Sequence, residues 1–115
     1  LKDAIIKARL GAEDIGGAMD RLYGGSGAEA CSPLLRDYAT FANAPTFDVS
    51  GQPGNVQQAY GLYRQAVELL TVKIRPIANV CSGGGGGIGK LDFDVARTSI
   101  NEGAGLLTQA QNALQ

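Results

Sequence analysis

The stretch VQQAYGLYRQAVELLTVKIRPI, residues 56–77, decides the fold class. Its apolar side chains Val56, Tyr60, Tyr63, Val67, Leu70, Ile74 and Ile77 recur at alternating steps of four and three. At 3.6 residues per turn that rhythm puts all seven on one face, so the spacing predicts a long helix from about 55 to 80. Pro76 lies inside it. A proline there removes one donor and crowds the preceding turn, and the helix is expected to kink near Lys73 or to end close to Arg75.

The same rhythm recurs on both sides of this segment. Leu1, Ile5, Ala8, Ala12, Ile15, Met19 and Leu22 predict a helix from 1 to about 23. Its stop is Gly24, Gly25, Ser26 and Gly27, whose glycines accept the left-handed backbone of a helix C-terminus. Phe93, Ala96, Ile100, Gly103, Leu107, Ala110 and Leu114 predict a last helix, with Asp92 placed to cap its first turn. No position in the three stripes carries a charge. In the last one Phe93, Ile100, Leu107 and Leu114 are bulky, whereas Ala96, Gly103 and Ala110 are small. Small positions admit a close neighbour, and Tyr60, Tyr63, Leu70 and Ile77 have the volume to fill them. Gly11, Gly16 and Gly17 each cost a helix about 1 kcal/mol relative to Ala, and they read as sites of close packing or bending.

Between the first two long helices, Ser32 followed by Pro33 is a helix-start signature: a hydroxyl for the free amides, then proline in the first turn. Leu34, Leu35, Tyr38, Phe41 and Ala42 give a short helix of about three turns, halted by Asn43, Ala44 and Pro45. Residues 43–54, with Pro45, Ser50, Gly51, Pro53 and Gly54, read as a connecting loop. No stretch alternates with a period of two for long enough to compete. The expectation is an all-α single domain, 1–115, folded as an antiparallel up-down-up-down four-helix bundle with a short second helix.

That topology brings the end of the first helix, the start of the second and the end of the third to one pole. Cys31 and Cys81 lie there, and a Cys31–Cys81 disulfide is expected, worth about 4 kcal/mol in the chain-entropy model. Both flanks are rich in Gly and Ser, which favours exposed loops over two buried thiols. An oxidised pair implies an extracytoplasmic protein, whether periplasmic, cell-surface or secreted. The chain begins at Leu1 rather than Met, which reads as a processed or trimmed end with room for an export signal or anchor upstream.

Composition narrows the function classes. The 115 residues hold 10 Lys plus Arg against 11 Asp plus Glu, a net charge of −1, with 44% hydrophobic residues. No basic excess is present to neutralise a phosphate backbone or an anionic leaflet, so neither nucleic acid nor a membrane surface is an expected partner. No apolar run reaches the ~18 residues of a membrane span. With no His at all, the commonest general base and metal ligand are missing, two Cys cannot make a four-thiolate site, and no metal or cofactor is expected.

Residues 84–90, GGGGIGK, fit both G-x-x-x-x-G-K and, over 84–89, G-x-G-x-x-G. Five consecutive glycines satisfy any glycine pattern, Leu91 stands where a phosphate loop needs Ser or Thr, and a helical stripe rather than a strand precedes it. The segment reads as a flexible linker. Asp92 and Asp94 sit at a helix start, where charge favours the dipole, and Glu13 and Asp14 flank an apolar stripe and project sideways or to water. The best small-ligand candidates are Tyr60, Tyr63 and Arg64 facing Tyr38 and Phe41 of the short helix, under the lid of the 43–54 loop. The plainer reading, and the favoured one, is that the same aromatics fill the core with hydroxyls at the surface. Three readings follow: a non-catalytic extracytoplasmic bundle for protein interaction, homo-oligomerisation or structure; an extracytoplasmic ligand sensor or solute-binding domain with an aromatic cleft; and an enzyme. The last loses on inventory, because acid–base, metal and nucleophile sets are all incomplete.

Overall fold

The computed structural model describes residues 1–23, 28–83 and 89–115. Among these residues there are four helices and no strand: α1 (Lys2–Arg21), α2 (Ala28–Ala42), α3 (Gly54–Cys81) and α4 (Lys90–Ala113). They form a column of 47 × 20 × 20 Å. α1 packs on α2 and α4, and α3 packs on α2 and α4, so sequential neighbours are antiparallel and the ring closes between the first and last helices. The α3–α4 interface is the most extensive.

The three stripes face inward as their spacing requires. Every position is buried except Leu1, Leu22, Val56, Tyr60 and Leu114, which are half-buried. Large and small residues interdigitate as expected: a Cβ built on Gly103 would stand 3.0 Å from the Leu70 side chain, whereas at Gly11 and Gly16 it would meet Phe41 and Ile100 at 3.5 and 3.7 Å. At the far pole Asn55 Nδ2 donates to the Ala113 carbonyl, tying the start of α3 to the end of α4. At the near pole the Tyr23 ring stands edge-on to Phe93, with centroids 4.9 Å apart.

The structure revises the second helix. α2 begins at Ala28, so Ser32 does not cap it and Pro33 lies one turn inside. The reason is tertiary: Ala30 is buried to 1% exposure and Cys31 is tied to α3, and both contacts require helix upstream of the proline. The donor that Pro33 lacks would have bonded the carbonyl of Glu29, an exposed residue whose carbonyl water can serve. Ala42, assigned to the inward stripe, is exposed, and the inward positions are Ala30, Leu34, Asp37 and Phe41. At 15 residues α2 remains the shortest of the four.

α3 does not end at Arg75. It continues through Pro76 to Cys81, with both Pro76 and Val72 on the exposed face, so the carbonyl freed by the proline is turned to solvent. Gly83, with φ +89°, donates its N–H to the Val80 carbonyl and stops the helix in the left-handed conformation glycine permits. α4 is entered through Gly89, and Asp92 makes no cap hydrogen bond; it lies in the first turn, where its charge complements the helix dipole. The stop expected at residues 24–27 lies outside the described residues.

Candidate functional site

The disulfide links the start of α2 to the end of α3. Cys31 and Cys81 have Cα atoms 5.2 Å apart, and both are half-buried. The antiparallel register that brings them together carries on down the pair: Arg75 Nε donates to Tyr38 Oη at 3.4 Å, and Phe41 lies beside Val67 and Thr71 in one groove.

The five aromatic and basic candidates do not converge on one cleft. Tyr63 and Phe41 are core residues at 1% and 2% exposure. Burial raises the Tyr63 phenol above its ordinary value. Tyr60 faces the loop instead of the short helix: its Oη accepts the Phe47 N–H at 3.2 Å, and the Phe47 ring stands perpendicular to its own. Tyr60 and Tyr63 are tilted neighbours at 6.3 Å. Tyr38 meets α3 fifteen residues further along at Arg75, roughly 22 Å from Tyr60 at 1.5 Å per residue. Arg64 pairs with Glu68 one turn on, at 3.3 Å. The loop is itself tied down, since Asp48 accepts the Ser50 amide and hydroxyl, which hold its carboxyl below the usual value. Gly51 turns the chain there at φ +80°.

Surface grooves flank α2 on both sides. One, of about 270 Å³, runs between the C-terminal end of α2, the loop and α3; Phe41 and Val67 form its floor, with Arg64, Glu68, Thr71 and Arg75 at its sides. The other set lies along the α1–α2 seam as two adjoining hollows of about 330 and 420 Å³ that share Lys7, Arg36 and Thr40. Tyr63 and Pro45 line the first of these; Asp14 and Asp37 line the second.

Asp37 was not singled out from the sequence, and it is the unusual residue of the seam. It is 7% exposed, its Oδ2 is buried without a hydrogen-bond partner among the described residues, and burial together with the neighbouring Asp14 pushes its carboxyl up to about 7. Arg36 Nη2 donates to Asp14 Oδ2 at 2.9 Å and approaches Asp37 Oδ1 only to 3.7 Å. A signal was present in the sequence: Ala30, Leu34, Asp37 and Phe41 follow the four-three rhythm, and the rhythm passes through a carboxylate.

Of the glycine-rich motif, residues 84–88 lie outside the described residues; Gly89 and Lys90 open α4, and what precedes the motif is α3, a helix. Among the described residues no group of three or more His, Cys, Asp or Glu side chains is placed to hold a metal ion, and no helix is long and apolar enough to cross a membrane. No family model, curated protein or solved structure matches the chain.

Proposed function

We propose that this chain is a non-catalytic helical module that works in an oxidising, extracytoplasmic compartment and serves protein interaction or structure. The observation that carries the reading is the Cys31–Cys81 bond, which staples α2 to α3 across 50 positions of sequence. Reducing compartments keep such pairs as thiols, and the staple stabilises the fold only where it stays oxidised. The side chains left over are those of an interface rather than a reaction. Leu91 and Val95, one turn apart at the start of α4, are 74% and 38% exposed, and Tyr23 at the end of α1 is 52% exposed beside Phe93. Large apolar side chains at one pole, on a chain with no His and few charges, fit a contact surface.

Alkylation of the natively expressed protein followed by intact mass measurement tests the compartment: no cysteine is labelled before reduction and both are labelled after it. Labelling of both without reductant overturns the reading. Sedimentation across a concentration series tests for a second copy as the partner, with Leu91→Ser weakening any association found.

A second reading rests on the α2–loop–α3 groove, where Arg64 and Arg75 flank an apolar floor that includes Phe41. That chemistry suits a small carboxylate with an apolar body, as a sensor or solute-binding domain would take. A rise in melting temperature with aliphatic or aromatic carboxylates, lost in Arg64→Ala, favours it; no shift with any of them leaves the interaction reading.

A further inference from the structure

The Asp37 carboxyl is buried in the α1–α2 seam with an oxygen that no donor among the described residues reaches. The Asp14 carboxyl of α1 lines the same hollow, and the Arg36 guanidinium lies beside both carboxyls. Two carboxylates are both acceptors, so the contact repels until one of them carries a proton and becomes a donor; the contact is then an O–H···O⁻ bond, a short and strong type. Burial decides first which one is protonated, and Arg36 adds to the difference. Its guanidinium donates to Asp14 at 2.9 Å but stays 3.7 Å from Asp37, beyond hydrogen-bond distance. Asp14, half-exposed and paired, is held ionised, and the proton goes to the buried partner.

We propose that a proton on Asp37 fastens α2 to α1, making this seam a pH-sensitive latch that is closed in mildly acidic solution and released when the proton leaves. The latch stands on three geometric facts: a buried oxygen that no donor among the described residues reaches, a second carboxyl in the same hollow, and an arginine that hydrogen-bonds Asp14 while standing 3.7 Å from Asp37. The directions agree with it. Burial first, then the hydrogen bond and charge of Asp14, raise the Asp37 carboxyl to about 7, and the hydrogen bond with Asp37 is the leading cause that lowers Asp14.

The charged neighbours are few. From α1, Lys7 lines the same hollow and Arg21 acts on Asp14; from α2, Arg36 lies beside both carboxyls. From α3, Arg75 meets α2 at Tyr38.

The sign follows from linkage. The folded-state value lies above the ordinary 3.8, so between about 4 and 7 the native protein keeps a proton that the unfolded chain has released. Stability from this group is full below that window, falls as pH rises through it, and is lost above about 7. Asp14, lowered, acts in the opposite sense and loses its contribution in acid. Above the window two negative carboxylates face each other beside hollows of about 330 and 420 Å³ that are open to solvent, and the seam loosens there first.

Carboxyl carbon NMR of the intact, oxidised protein reads the proton directly, with a midpoint for Asp37 near 7 expected. In parallel, melting temperature is followed from about pH 5 to about pH 8 for the wild type and for Asp37→Asn, which keeps a donor and has nothing to titrate. The wild type loses melting temperature across that range; the variant holds level and melts above the wild type at the alkaline end. An Asp37 midpoint below about 5, a flat wild-type profile, or a variant parallel to the wild type each overturns the latch. If Asp37→Asn does not fold, the wild-type NMR titration decides alone.

Discussion

Between α3 and α4, Leu70 lies against a glycine so closely that a single added carbon on Gly103 would stand 3.0 Å from it. Between α1 and α2, two carboxyls meet under an arginine, with open hollows beside them. Both seams join antiparallel neighbours in one column, and each is specified by different chemistry. The first depends on volume: bulky Leu70 fills the space that Gly103 leaves, and close packing makes each missing or extra methylene costly. The second depends on charge state, and the group that could spoil it, Asp37, joins it when neutral. Where volume specifies a seam, solution conditions hardly touch it; where a proton does, pH reaches inside the fold.

The largest effect expected follows from emptying the tight seam. Leu70 is fully buried and faces a residue with no side chain to move into the gap. Leu70→Ala is expected to lose about 4–5 kcal/mol, the upper part of the range for such truncations, read by urea unfolding at constant slope. A loss below about 2 kcal/mol would mean that the seam relaxes around the gap and that volume does not specify it.

Reduction comes next, because the disulfide couples one member of each seam, α2 to α3. Opening it frees the enclosed segment in the unfolded state and is expected to remove about 3–4 kcal/mol. Hydrogen exchange should then show the α1–α2 seam gaining more than α3–α4, since the latter retains its interlock. Equal gains would erase the distinction between the seams.

A pair of glycines sharpens the contrast at smaller scale. At Gly103 an alanine forces Leu70 aside, and Gly103→Ala is expected to cost about 1–2 kcal/mol despite the better helix propensity. At Gly11 the new methyl would sit 3.5 Å from the Phe41 ring, an ordinary contact, so Gly11→Ala is expected to gain about 0.5–1 kcal/mol. Thermal melts of the two variants side by side give opposite shifts.

These differences explain what the residues disclosed in advance. The stripes through Ile15, Leu70 and Leu107 were legible because burial of apolar side chains at helical pitch is a local pattern with a global consequence. The Cys31–Cys81 pairing was legible because topology alone brings two helix ends together. The start of α2 was not, because Ser32–Pro33 is a strong local signature overruled by the burial of Ala30 and by the bond of Cys31 to a residue 50 positions away. Nor was the Asp14–Asp37 contact: a search for apolar periodicity steps over a carboxylate, and its burial depends on α1, which the local sequence of α2 does not mention. The aromatic candidates were each placed on the correct helix, yet the register of α2 against α3 sent Tyr38 and Tyr60 to different levels of the column.

The smallest expected change in stability is also the finest probe of the polar seam. Asp14 and Arg36 have side chains 48% and 69% exposed, so their ion pair is screened and Asp14→Asn is expected to cost under about 1 kcal/mol near neutral pH. Its effect on Asp37 is larger than its effect on the fold. The amide oxygen still accepts the Asp37 proton, but the like charge that helped hold that proton is gone, so the Asp37 midpoint falls from about 7. It does not return to 3.8, because burial, the leading cause of the shift, is untouched. Carboxyl carbon NMR of Asp14→Asn should therefore place Asp37 between the two values. A midpoint unchanged from the wild type would assign the shift to burial and the hydrogen bond, and leave the charge of Asp14 no part in holding the proton.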